Sequence, residues 1–168
     1  FTAIALLLLA HSPVPGRQGA PVTIVEFFDP ACETCRVICP IVESPMAKYR
    51  EDVRLVVRDA PIHPGSGPVV KLLAAARRQG RYPPALEAVL QAQPTWAAGR
   101  DIGRAREDMA RPEMQALPSQ DVEDLTALQV SRPPTFFVDG HSLPSFGPDR
   151  LAALVAEEAA KADRQVDG

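Results

Sequence analysis

Ten residues constrain this chain more than any others: Glu26-Phe27-Phe28-Asp29-Pro30-Ala31-Cys32-Glu33-Thr34-Cys35. They continue a β-branched run, Val22-Thr23-Ile24-Val25, and lead into a helical pattern from Cys32 to about Tyr49. Two cysteines, separated by two residues, therefore stand where a strand gives way to a helix N-terminus. A thiol there ionises more readily, because the helix dipole and the unpaired N–H groups favour negative charge. A second thiol one turn on can attack a mixed disulfide formed by the first. A zinc ribbon uses the same spacing but needs a second Cys/His pair, and none is visible in the sequence.

The remaining bulk properties are permissive. A length of 168 residues suits a single domain with a real core. A net charge of −3 gives no support for nucleic-acid binding. Three cysteines are too few for a disulfide scaffold. Eighteen prolines, roughly twice the usual frequency, predict stiff loops and short or kinked helices.

Phe1 to Ala10 is almost wholly apolar but too short to span a bilayer as a helix. It reads as a first buried strand, with the tail of a signal-peptide apolar region as the alternative; the chain does not begin with Met. Pro21 to Phe28 reads as a central strand with a glutamate, Glu26, inside it. Glu26 is either a solvent-facing strand residue or a buried carboxylate of raised pKa, able to take a proton from a thiol. Pro40 should kink the following helix by removing a hydrogen bond to the carbonyl of Arg36.

Val53 to Arg58 is a short strand, and residues 60–65 a loop. Between 67 and 128 the pattern is helical: Val69, Val70, Leu72, Leu73 and Ala76, then Leu86, Val89 and Leu90 after Pro83-Pro84, then about 101–110 and 112–128. Trp96 is read as a core anchor between helices. Pro134 to Val138 is a strand, Asp139-Gly140 a hairpin turn, and His141 to Phe146 its return. Asp149 to Lys161 closes as an amphipathic helix with Leu151, Leu154 and Val155. His63 and His141 read as isolated turn residues, and Arg77-Arg78 as a solvated helix face.

This order resembles a thioredoxin fold with a helical insertion, as in DsbA-like thiol–disulfide oxidoreductases. Glu26 stands six residues before Cys32, and Pro40 five after Cys35. Val130-Ser131-Arg132-Pro133-Pro134-Thr135-Phe136 resembles the family's cis-proline loop. His11-Ser12-Pro13-Val14 and Ala20-Pro21-Val22-Thr23 resemble its entry segment, and Ile62-His63-Pro64-Gly65 and Gln79-Gly80-Arg81-Tyr82 its insertion. The resemblance implies an α/β fold: one thioredoxin-like domain over residues 1–168, with the insertion at about 64–128. It implies Cys32 as the attacking thiol, Cys35 as the resolving thiol and Glu26 as manager of the Cys35 proton. Pro134 would shape the groove where substrate backbone docks, flanked by Glu33, Thr34 and Pro133.

The implied partners are protein or peptide thiols and disulfides, together with a redox partner that reoxidises or reduces the cysteine pair. The resemblance calls for no cofactor and no nucleic acid. It implies a periplasmic or otherwise extracytoplasmic location, and a monomer is expected. Three departures stand out. The dipeptide between the cysteines is Glu33-Thr34 rather than Pro-His or Gly-His, and a glutamate disfavours a neighbouring thiolate, so a milder oxidant is expected. Pro133 has no N–H for a substrate strand. Cys39 is extra. It lies one turn beyond Cys35 on the same helix face, roughly 10 Å along the axis from Cys32, and is expected to be a small buried hydrophobe. The rival reading is a copper(I)- or other metal-binding protein using Cys32, Cys35 and Cys39.

Overall fold

The computed structural model describes residues 19–98 and 125–166. The apolar segment 1–10, the entry residues 11–14, the expected helix at 101–110 and most of that at 112–128 lie outside the described residues. The described elements are β1 (Val22–Phe28), α1 (Glu33–Lys48), β2 (Val53–Asp59), α2 (Ser66–Arg78), α3 (Tyr82–Ala98), β3 (Thr135–Val138), β4 (His141–Ser142) and α4 (Pro148–Val166). They divide between two compact units. One holds the sheet except for Phe28 and Asp59, with α1 from Val37 and all of α4; the other holds residues 28–36 and the described residues from Asp59 to Pro134.

In the first unit the sheet order is β2-β1-β3-β4. The N–H of Val22 donates to the carbonyl of Asp52, joining the start of β1 to the start of β2. β3 runs antiparallel to β1, with Ile24 opposite Val138 and Glu26 opposite Phe136. The sheet is a thioredoxin-type mixed sheet. All seven residues of β1 are buried, which is why its sequence is nearly continuous in apolar residues rather than alternating. Phe27 meets Phe137 edge to face, with ring centroids 6.1 Å apart.

The Asp139-Gly140 turn has both residues at positive φ, 46° and 80°, the geometry that suits the twist of a two-residue hairpin. Its return strand is shorter than expected, covering His141 and Ser142, because Pro144 follows and brings no N–H to the ladder. The Asp139 carboxylate accepts from the N–H of Thr23 (2.7 Å), and the N–H of Asp139 donates to the Thr23 carbonyl. In α4 the buried residues are Leu151, Val155, Glu158 and Ala159. The stripe therefore runs past Leu154, which is half-buried, and the helix extends beyond Lys161 to Val166. His141 is not isolated: its Nε2 lies 3.7 Å from Glu158, which also binds Lys161.

In the second unit α2 and α3 form the helical insertion. In α2 Ser66, Gly67, Val70 and Leu73 are buried, while Leu72, placed on the stripe from sequence, is 57% exposed. Arg77 also departs from the expected solvated face. Its guanidinium stacks 4.7 Å over Tyr82 and lies 3.9 Å from the buried carboxylate of Asp59; only Arg78 is exposed. Trp96 lies inside α3, not between helices, and is half-buried, its indole N–H donating to the Val89 carbonyl at 3.0 Å.

Because Leu151 is fully buried in its unit, Leu151→Ala should lower unfolding free energy by about 3 kcal/mol. The exposed neighbouring change Ala152→Ser should stay within about 0.5 kcal/mol. Urea unfolding followed by far-UV circular dichroism measures both.

Candidate active site

The site is built on the turn that joins β1 to α1. Asp29 ends the strand and is fully buried. A buried carboxylate is tolerable only when its oxygens are filled, and four donors converge on this one. Oδ1 accepts from the N–H of Ala31 at 2.8 Å and from the Ser66 hydroxyl. Oδ2 accepts from the N–H of His63 and from its Nδ1, each at 2.7 Å. The backbone carbonyl of Asp29 takes the N–H of Cys32 at 3.0 Å. His63 is thus no isolated turn residue: its loop and the C-x-x-C turn are tied together through one carboxylate.

The turn delivers Cys32 to the residue just before α1, and the N–H of Cys35 points back at the Cys32 sulfur, 3.4 Å away. That is the helix N-terminus arrangement that stabilises a thiolate. The Cys32 thiol also faces the carbonyl oxygen of Pro133 at 3.5 Å. The Pro133–Pro134 peptide is cis, and β3 begins at the next residue. Cys32 and Cys35 are free thiols and buried. Glu33 and Thr34 between them are exposed. The Glu33 carboxylate lies 3.7 Å from the Arg36 guanidinium, which offsets part of its charge near the sulfur.

Gln93, buried on α3, closes over the same turn. Its amide donates to the carbonyls of Pro30 (2.8 Å) and Cys32 (2.9 Å), and its Oε1 accepts from Arg36 Nε at 3.0 Å. Neither Asp29 nor Gln93 was singled out from sequence. A signal for Gln93 existed: it stands seven residues after Leu86 and four after Val89, a polar side chain on an apolar helical stripe. Asp29 had only its position beside the cysteines.

Glu26 belongs to the sheet unit. It is buried, opposite Phe136, and its Oε1 has no hydrogen-bond partner among the described residues. Burial pushes its carboxyl up to about 8, so the buried alternative holds and the solvent-facing one does not. Cys39 is half-buried rather than buried. Among the described residues no group of three or more His, Cys, Asp or Glu side chains is placed to hold a metal ion.

The mixed sheet, the C-x-x-C at a helix start, the cis-proline before β3 and the inserted helices are the features of a thioredoxin-superfamily fold. The chain belongs to the thioredoxin family, whose model matches residues 10–157. It is similar in structure to a thioredoxin-like oxidoreductase from Silicibacter pomeroyi DSS-3, 27% identical, with a TM-score of 0.68 over 94% of this chain and 96% of that one. It also shares its fold with alpha-DsbA1 of Wolbachia pipientis, 15% identical, TM-score 0.78, over 99% and 100% of the two chains. In sequence it is 28% identical over 161 residues to the Na(+)/H(+) antiporter NhaA of Herminiimonas arsenicoxydans, which is 90% of this chain and 26% of that protein. A second relative, Na(+)/H(+) antiporter NhaA 3 of Salinispora tropica, is 31% identical over 85% of this chain and 24% of its own length. The chain spans about a quarter of the length of these curated relatives.

Two outcomes follow from the buried carboxylates. Asp29→Asn leaves at least one donor without an acceptor and should destabilise the fold by about 2 kcal/mol, measured as a urea unfolding midpoint. For Glu26, the folded-state value of about 8 lies above the ordinary 4.5. Between those values the folded chain holds a proton that the unfolded chain has released, so stability is greatest at low pH and falls as pH rises towards 8. The expected slope is on the order of 1 kcal/mol per pH unit, and Glu26→Gln should flatten it. Unfolding series from pH 5 to pH 8 measure the difference.

Proposed function

We propose that this chain is a thiol–disulfide oxidoreductase acting on protein thiols and disulfides, with Cys32 as attacking and Cys35 as resolving cysteine. One observation carries the reading. The Cys32 sulfur lies at a helix N-terminus and receives the N–H of Cys35. Both thiols are buried, so it is the helix-start position and that N–H, which favour a thiolate, that support Cys32 as the nucleophile and leave Cys35, one turn on, for the internal step.

In the oxidising direction, a substrate thiolate attacks Cys32 of the Cys32–Cys35 disulfide. The substrate–Cys32 bond forms, the internal bond breaks, and Cys35 leaves as a thiolate and takes a proton. A second substrate thiolate then attacks the substrate sulfur of the mixed disulfide and releases Cys32. The substrate is oxidised by two electrons and the protein reduced. The reverse sequence reduces a substrate disulfide. A redox partner then returns the pair to its starting state.

Glu26 suits the proton step. Its place six residues before Cys32, its burial and its value of about 8 support a carboxyl that exchanges a proton near neutral pH. Pro134 is assigned to shaping the groove beside the cysteines, with Pro133, Glu33 and Thr34 facing the substrate. The carbonyl of Pro133 can accept a hydrogen bond but its nitrogen donates none, so substrate backbone is held there from one side.

The chain corresponds to about a quarter of the length of the Na(+)/H(+) antiporter relatives, and thiol exchange, not ion antiport, is the activity proposed for it. Among the described residues no helix is long and apolar enough to cross a membrane. An extracytoplasmic, oxidising compartment is the setting proposed for the cysteine pair.

The test is exchange with a model protein. Reduced wild-type chain should accelerate insulin reduction, Cys32→Ser should abolish it, and Cys35→Ser should trap a covalent adduct through Cys32, read by mass spectrometry. An adduct that forms through Cys39 instead would overturn the assignment.

A further inference from the structure

We infer that Gln93, on the helical insertion, is a positioning residue that sets the reactivity of Cys32; the inference rests on the thiol-exchange reading above. Gln93 is 2% exposed, and both ends of its amide are spent on the cysteine turn. The two bonds from Nε2 fall on the carbonyls of Pro30 and Cys32. The Cys32 carbonyl also takes the N–H of Arg36 at 3.2 Å, so the amide supplies a second donor to the oxygen of the nucleophile's own peptide group.

The two carbonyls belong to the turn that carries the nucleophile, one of them to Cys32 itself, and their dipoles contribute partial negative charge to the setting in which a thiolate must form. Donors on those oxygens reduce that charge and hold the dipoles in one orientation. At its other end Gln93 Oε1 fixes Arg36 Nε. The guanidinium is thereby held one helical turn beyond Cys32, where a positive charge favours the thiolate. A single buried amide thus acts on the nucleophile twice, through its backbone and through the nearest cation on α1. The arrangement gives the insertion a chemical role: α3 carries the group that tunes the turn.

The test uses the full chain and reads Cys32 directly. Gln93→Met keeps length and burial but removes every polar atom; Gln93→Glu keeps the shape and turns the donor into an acceptor. The rate of Cys32 alkylation by iodoacetamide is followed against pH by peptide mass, with the unfolding midpoint measured alongside. Gln91→Met, at an exposed position on the same helix, is the control. Glu33, Arg36, Asp29 and His63 stay in place in every variant.

The expected result is a titration midpoint moved to higher pH in both Gln93 variants, further in Gln93→Glu. Alkylation at pH 7 should be about tenfold slower, and the glutathione equilibrium about tenfold further towards the disulfide, a change of about 30 mV. A titration curve superposable on wild type would overturn the inference, as would an equal change in Gln91→Met. Loss of the fold in both Gln93 variants would make it a stability residue and reject the tuning role. Alkylation reads the thiol whether or not the chain turns over a substrate. Failure of wild type to exchange with insulin would therefore refute the proposed function, while the Gln93 comparison stands or falls on its own.

Discussion

Everything at the reactive end of this molecule depends on one buried carboxylate. A chain that leaves a buried strand and enters a helix within four residues carries several peptide N–H groups into the protein interior. Each costs free energy unless it finds an acceptor. Asp29 supplies acceptors on three fronts: to the turn through Ala31, to the following loop through His63, and to the first residue of α2 through Ser66. Its own charge is made tolerable by the same bonds. The geometry of Cys32 is therefore set by a charge-assisted network, not by the cysteine pair itself.

Gln93 extends that logic from the N–H groups to the carbonyls. Asp29 fills donors and Gln93 fills acceptors, so the turn is satisfied in both senses. Fully satisfied buried polar networks are rigid and specific, which is what a nucleophile needs if a mixed disulfide is to be resolved within one helical turn. Glu26 is the opposite case. It lies in the sheet, opposite Phe136, with one oxygen unpartnered among the described residues. Its protonation state carries the cost instead, and a carboxyl raised to about 8 is the result.

Much of this was legible from the residues. The β-branched run before the cysteines, the Asp139-Gly140 turn and the amphipathic pattern after Asp149 each correspond to an element, because each is a local pattern with a local cause. The misreadings share a physical reason too. Arg77, His63 and His141 were judged by their neighbours in sequence, and the partners of each come from outside its own helix or loop. Arg77 looks solvated in a run of Arg-Arg but has an aromatic face and a buried acid across its unit. His63 looks like a turn residue until Asp29, thirty-four positions away, takes its backbone N–H and its Nδ1.

The sequence by itself determined the type of chemistry: two thiols at the spacing of one helical turn, placed at a strand-to-helix junction. It determined the thioredoxin-type order of elements as well, since hydrophobic period and turn residues are written locally. Only the tertiary structure decided which side chains hold the thiols. His63 and Ser66 are remote in the chain from Asp29, and Gln93 from Arg36, and hydrogen bonds are directional and short. No periodicity encodes which distant donor will meet which buried acceptor.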